Sequence, residues 1–143
     1  MKRIIVVLFA VSVFVPNAVF AKAAYPTWVD AAWREGKRCK RWEPLFQRHG
    51  LPVIPFSYLS WREARCKADV VNARWRDGKL VWTLNRNGTY DSGLLQVNSS
   101  WVTVTAEVCG SKRGDLSVLR QPGCNVAVAA YLYANGGFGH WGW

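Results

Sequence analysis

Thr89-Tyr90-Asp91-Ser92-Gly93-Leu94-Leu95-Gln96-Val97-Asn98-Ser99-Ser100-Trp101 is the run around which the rest of the chain is organised. It follows an Asn87-Gly88 turn signal. Its glycine, ahead of two leucines, lets the backbone pass close to a neighbour. Gln96 and Asn98, two positions apart, each carry amide donors and an acceptor. A single carboxylate, Asp91, heads the run, and the aromatic plate of Trp101 closes it. Amides, one acid and an aromatic surface together suit a hydroxylated ligand such as a sugar. Upstream, Ser60-Trp61-Arg62-Glu63 sets a second carboxylate beside a tryptophan. The remaining chain is expected to bring Glu63 and the Asp91–Asn98 run together.

Met1-Lys2-Arg3 precedes the apolar run from Ile4 to Val15, and Ala18-Val19-Phe20-Ala21 follows. This order of basic, apolar and small residues is that of a secretory signal peptide, expected over residues 1–21. The apolar run falls short of the ~20 residues of a membrane-spanning helix. Residues 22–143 are then one exported domain, secreted or held in the periplasm or cell wall. Setting aside Lys2 and Arg3 leaves 17 basic against nine acidic residues, a net charge of +8. Such a balance in an exported protein suits an anionic partner, whether a cell-wall polymer, a membrane surface or a nucleic acid. The basic residues are scattered, so a nucleic-acid groove is not expected.

Cys39, Cys66, Cys109 and Cys124 are an even number in an exported chain, which suggests two disulfides. Three pairings are possible, of which Cys39–Cys66 with Cys109–Cys124 is the most local. With no Cys-x-x-Cys pair and only His49 and His140, no metal site is expected.

Local signals outline the elements. Tyr25 to Arg38 suits a short helix or a tail packing through Trp28 and Trp33. Arg41 to His49 carries Trp42, Leu45 and Phe46 at helical spacing, with Gly50 at the end. Pro55 fits the first turn of a second helix, on which Phe56, Leu59 and Glu63 share a face. Glu63 would then stand near its C-terminal end among aromatic neighbours. Val70–Arg76 and Lys79–Leu84 flank Asp77-Gly78, a hairpin signal. Gly93 to Trp101 is expected to begin helical and then loop. Short helices fit Thr103–Cys109 and Asp115–Leu119. A longer Ala- and Val-rich helix, Asn125–Asn135, is opened by Pro122 and ended by Gly136-Gly137.

Glycoside cleavage needs a proton donor at the leaving oxygen and a group that stabilises an oxocarbenium-like centre. Glu63 is the candidate acid, and Asp91, in a polar run near a turn, the candidate stabilising carboxylate. Their segments, with a hairpin between, together with Asn85-Arg86-Asn87-Gly88 and the GLLQVN run, resemble the lysozyme superfamily. The likeness extends to animal c-type lysozymes and to soluble-lytic-transglycosylase domains. Cys124-Asn125-Val126-Ala127-Val128-Ala129-Ala130-Tyr131-Leu132-Tyr133 is similar to the late helix of the latter.

This resemblance implies an α+β, mainly α, lysozyme-like fold with a small antiparallel β-hairpin lobe. It implies cleavage of the β-1,4 bond between N-acetylmuramic acid and N-acetylglucosamine in peptidoglycan glycan strands, without a cofactor. Carried over by position, Glu63 matches the catalytic acid and Asp91 the second carboxylate of c-type lysozymes. Ser92, Gln96, Asn98 and Trp101 fall on the sugar subsites, and Asn125 and Tyr131 on the cleft side of the late helix. Two departures stand out: Ala64 follows the glutamate where the family usually has serine, and the Glu63-to-Asp91 segment is longer than in c-type lysozymes. A monomer without stable membrane insertion is expected. Two rival classes fit the same composition: a non-catalytic wall-binding module and a basic, tryptophan-rich membrane-active antimicrobial protein.

Overall fold

The structure is a computed structural model and describes residues 24–143. The expected signal peptide, residues 1–21, lies outside the described residues. Five α-helices are described: α1 (Trp28–Arg34), α2 (Glu43–Arg48), α3 (Val53–Ala64), α4 (Val102–Cys109) and α5 (Pro122–Gly136). Short 3-10 turns at Lys40–Trp42, Ser99–Trp101, Leu116–Arg120 and Gly137–Trp141 link or extend them. Two antiparallel ribbons, β1 (Ala73–Arg76) with β2 (Lys79–Trp82) and β3 (Asp91–Ser92) with β4 (Val97–Asn98), complete a mainly helical α+β chain.

Helix α3 is the axis. Pro55 sits in its first turn, where the missing N–H costs no helical bond. From Pro55 to Ser60 every residue is buried, so this helix is enclosed on more than one face. Its end is abrupt: Arg65 and Cys66 both take left-handed backbone, φ 49° and 63°, and Cys66 N–H reaches back to the Ser60 carbonyl. Such a conformation disfavours residues with a Cβ. Cys66 is held there by its disulfide to Cys39 and by Trp42 Nε1–H donating to its carbonyl at 2.9 Å. Glu63 is thereby left in the last turn of a firmly stopped helix.

The central run lies against this axis. Leu94 and Leu95 are fully buried with Phe46, Phe56, Leu59, Val126, Ala129 and Phe138, between α3 and α5. Burial of each leucine is worth about 1.5–3 kcal/mol. A second cluster joins Val97 and Leu119 to Val128 and Leu132 of α5. The second disulfide, Cys109–Cys124, ties the end of α4 to the start of α5.

Residues 93–101 do not begin helical. They form a turn, then β4, then a 3-10 turn. Gly93 at φ 80° and Gln96 at φ 47° are both left-handed, which a right-handed helix cannot contain. Gly93 is required twice over: a Cβ there would lie 2.1 Å from the Leu119 carbonyl oxygen and 2.2 Å from Asn125 Nδ2. The hairpin turn falls on Asp77-Gly78, both left-handed as a two-residue turn demands. Its strands are shorter than the sequence suggests, pairing Ala73–Arg76 with Lys79–Trp82.

Helix α1 buries Val29 and Ala32, three apart on one face, while Trp28 meets the rings of Tyr58 and Trp143 edge-on. Trp28 remains half exposed. Trp33 Nε1–H instead donates to Glu43, and the Arg38 guanidinium lies 3.6 Å from the Trp33 ring centroid. Glu43 gathers four donors: Arg38 Nε at 2.9 Å, Arg38 Nη2 at 2.7 Å, Ser57 Oγ at 2.8 Å and Trp33 Nε1 at 3.2 Å. Ser57 Oγ also accepts from the Cys39 N–H, so the network joins α1, α2, α3 and the first disulfide.

Partial burial pushes the Glu43 carboxyl up. Bonds from Arg38, Ser57 and Trp33, with the Arg38 charge, together outweigh it and hold the group below its ordinary value. A carboxyl depressed in the folded state stabilises above its unfolded pKa, and that contribution fades as pH falls through the folded value. Glu43→Gln is therefore expected to cost about 1–3 kcal/mol at pH 7. The difference should shrink as the pH drops below about 4, near the unfolded value for glutamate. Urea midpoints of both proteins at pH 7 and pH 3 check this; an equal difference at the two pH values would disprove it.

Candidate functional site

A cavity of about 630 Å³ opens beside the central run. Asn85, Thr89, Asp91, Gln96, Asn98 and Trp101 line one side, and Leu132, His140 and Trp141 the other. Strands β3 and β4 build the first side by pairing Asp91 with Asn98. The second side comes from α5 and the 3-10 turn after it.

Asp91 is the polar centre. Asn98 Nδ2 donates to Oδ1 at 2.7 Å, and Asn85 and Asn72 donate to Oδ2 at 3.0 and 3.3 Å. Three neutral amides thus surround one carboxylate, with no ion pair to Asp91 among the described residues. Thr89 Oγ1 braces two of these amides, accepting from Asn85 Nδ2 and Asn98 Nδ2, while it donates to Asn87 Oδ1. The turn after Asn85 is closed by Asn85 N–H to the Thr89 carbonyl at 2.7 Å. A fixed negative charge in such a cage is well placed to meet positive charge developing on a ligand.

Gln96 lies on the wall with its NH₂ group bonded to the Gly93 and Val70 carbonyls, leaving its side-chain carbonyl for a ligand. Trp101 is half-buried and meets the His140 ring edge-on at 5.4 Å between centroids. Exposed Arg86 adds a cation at the rim. Among the described residues no cluster of histidine, cysteine, aspartate or glutamate is of a size to hold a metal ion. No described helix is long and apolar enough to cross a membrane.

Glu63 is not part of this wall. Its side chain is 27% exposed, and Oε1 accepts from Arg62 Nε at 2.7 Å. Arg62 links it to the cavity: Nη2 donates to the Trp141 carbonyl at 2.8 Å, and the guanidinium stands 4.9 Å from the Trp143 ring centroid. Trp141 lines the cavity and donates from Nε1 to the Leu95 carbonyl at 3.0 Å. A chain of contacts therefore runs from Glu63 through Arg62 and Trp141 to the residue before Gln96.

Of the other expected ligand contacts, Asp91, Gln96, Asn98 and Trp101 share the cavity, whereas Ser92, Asn125 and Tyr131 stand elsewhere. Ser92 alternates with Asp91 along β3 and so faces the opposite side, 2% exposed. Asn125 is fully buried; its Oδ1 accepts from Leu95 N–H, and its Nδ2 donates to the Ser92 and Leu119 carbonyls. Tyr131 is exposed on α5, one position before the wall residue Leu132. Asn72, Asn85, His140 and Trp141 were not singled out as site residues from the sequence. Asn85 and Asn87 flanking a turn directly before Asp91 were the available signal. The approach of His140 and Trp141 depends on the chain end folding back over α3 and α5.

Comparison with protein-family models and with curated proteins yields no match to this chain.

Proposed function

We propose that this protein is an exported muramidase of lysozyme-like fold that cleaves the β-1,4 bond from N-acetylmuramic acid to N-acetylglucosamine in peptidoglycan. The observation that carries the proposal is the Asp91 carboxylate, caged by Asn72, Asn85 and Asn98 in a cavity whose walls also bear Gln96, Trp101 and His140. Amide and hydroxyl groups around a charge, beside an aromatic plate, match the hydroxyls and the apolar ring face of a sugar. The glycan strand would occupy this cavity and pass Trp141 towards Glu63.

Glu63 serves as the acid. Its Oε1 accepts from Arg62 Nε, which leaves Oε2 as the oxygen that passes a proton to the glycosidic oxygen. The C1–O bond breaks as that proton arrives, and the oxocarbenium-like sugar is stabilised by the Asp91 charge. Water then adds at C1, and its proton returns to Glu63. No metal or cofactor takes part. The net charge of +8 outside Lys2 and Arg3 favours encounter with an anionic wall.

A second reading has its own support. Both oxygens of Asp91 already have amide partners, as a structural carboxylate would. Glu63 would then act alone, and the N-acetyl group of the substrate would attack, leaving an anhydro-muramoyl end. Asp91→Asn separates the two. For the hydrolase, cleavage is expected to fall by about 10²–10³, because the developing charge loses its counter-charge. Mass spectrometry of fragments released by the parent protein should show muramic acid with a free reducing end. Fragments lighter by one water, together with an active Asp91→Asn, would establish the transglycosylase. No fragments from folded, oxidised protein would leave a wall-binding module.

A further inference from the structure

Strand β3 has a second side, and it too borders a cavity. Asp91 faces the larger one, whereas its neighbours Tyr90 and Ser92 line a separate space of about 330 Å³. Three distant segments meet there: Trp82 from the hairpin, Tyr90 and Ser92 at and just before β3, and the loop from Gly114 to Arg120. Val71, bridged to Ser92, and Leu116 supply apolar surface. Trp82 and Tyr90 form a close aromatic pair, 4.4 Å between centroids and tilted by 37°. Trp82 is 40% exposed, an unusual position for so large an apolar ring.

The charges at this cavity are distinctive. Arg120 and Asp115 both line it, both are exposed, and neither has an ion-pair partner among the described residues. Asp115 Oδ1 caps the following turn, accepting from Ser117 N–H at 3.1 Å and Ser117 Oγ at 2.5 Å. Among the described residues its Oδ2 makes no such bond, and the guanidinium of Arg120 has no ion-pair partner. A space with an aromatic pair, an apolar floor, a guanidinium and one carboxylate oxygen is complementary to a short peptide that carries carboxylates and an amine. A guanidinium fork fits a carboxylate in bidentate fashion.

We infer that this second cavity binds a short acidic peptide, with Arg120 holding a carboxylate, Asp115 an amine and the Trp82–Tyr90 pair the apolar side-chain surface. Identification of that peptide as the stem borne by the wall glycan rests on the function proposed above; recognition of the peptide itself does not. The two cavities lie on opposite sides of one strand. They would read separate parts of a single polymer, sugar on one side and peptide on the other.

Calorimetric titration of the oxidised protein with a synthetic, sugar-free stem tetrapeptide containing a free diamino-acid residue tests the inference. One-to-one binding is expected. Arg120→Gln should weaken it at least about tenfold, the loss of a charged hydrogen-bonding pair. The same peptide with its carboxylates amidated should bind the parent protein as weakly. Trp82→Leu, which keeps an apolar strand residue, should also weaken binding. Absence of binding by folded protein, or affinity unchanged in Arg120→Gln, would overturn the inference. Cleavage of peptide-free glycan, measured in parallel, keeps the two proposals apart. Arg120→Gln should leave that cleavage unchanged, and peptide binding without any glycan cleavage would sustain this site while removing the enzyme.

Discussion

Glu63→Gln is expected to fold like the parent and to release glycan fragments about 10²–10⁴-fold more slowly. The substitution keeps the shape and removes the transferable proton together with the carboxylate charge. Its side-chain carbonyl can still accept from Arg62 Nε, and Arg62 keeps its bond to Trp141 and its place by the Trp143 ring. The parent ion pair is adjacent in sequence and roughly a quarter exposed on the glutamate side, so its loss should alter stability by no more than about 1 kcal/mol. The fall in rate would then belong to the chemistry. Turnover of purified wall, followed as soluble muramic acid, is the assay, with melting temperature as the control. Near-parental turnover in a folded variant would remove Glu63 from the reaction and leave Asp91 without an acid partner. The same variant separates the rival classes: a membrane-active protein would still release dye from anionic vesicles.

What the sequence made legible was local. Pro55, Asp77-Gly78 and Pro122 mark a helix start, a hairpin turn and a second helix start, and the structure has each in that role. The Cys39–Cys66 and Cys109–Cys124 bridges are the most local of the possible pairings. Asp91, Gln96, Asn98 and Trp101, read as neighbours in one run, do line one cavity. Readings failed where distant groups decide the backbone. Gly93-Leu94-Leu95 looks like the onset of an apolar helix, yet Gly93 is drawn into a left-handed turn under Leu119 and Asn125. Trp28 and Trp33 do make contacts, with Tyr58 and Trp143 and with Glu43 and Arg38, but the buried face of α1 is Val29 and Ala32, which carried no such mark. Glu43 carried no local mark, because its partners come from Trp33, Arg38 and Ser57 in separate segments. The link from Arg62 to Trp141 spans 79 positions, and no local pattern encodes it.

Asn125→Ala is expected to destabilise the protein by about 3–5 kcal/mol. The side chain is fully buried and makes three bonds of 2.8–2.9 Å, to Leu95 N–H and to the Ser92 and Leu119 carbonyls. Alanine would leave one backbone donor and two acceptors buried without that partner. Each such group costs about 1–3 kcal/mol when no water replaces the bond. A chain of this size melts some 3–5 °C lower per kcal/mol, so a drop of about 10–20 °C is expected. Asn125→Asp discriminates between loss of bonds and loss of volume. Aspartate has nearly the same shape, and its ionised form can accept from Leu95 N–H but has no N–H for the two carbonyls. A buried charge facing two carbonyl oxygens is disfavoured, so this variant should be at least as unstable as Asn125→Ala at pH 7. It should recover part of the loss as the pH is lowered, once the protonated acid can donate to one carbonyl. The sign follows from a carboxyl whose pKa is raised on folding: its penalty grows above the unfolded value and fades below it. Equal stability of the two variants at pH 7 and pH 4 would contradict this account. The consequence reaches the site, because Ser92 and Leu95 are the backbone anchors on either side of Gly93. With them released, β3 loses its fixed distance from α5, and Asp91 loses the support that aims its carboxylate into the cavity. Cleavage by Asn125→Ala should therefore fall at temperatures where the fold persists, although Asn125 is fully buried and does not line the cavity.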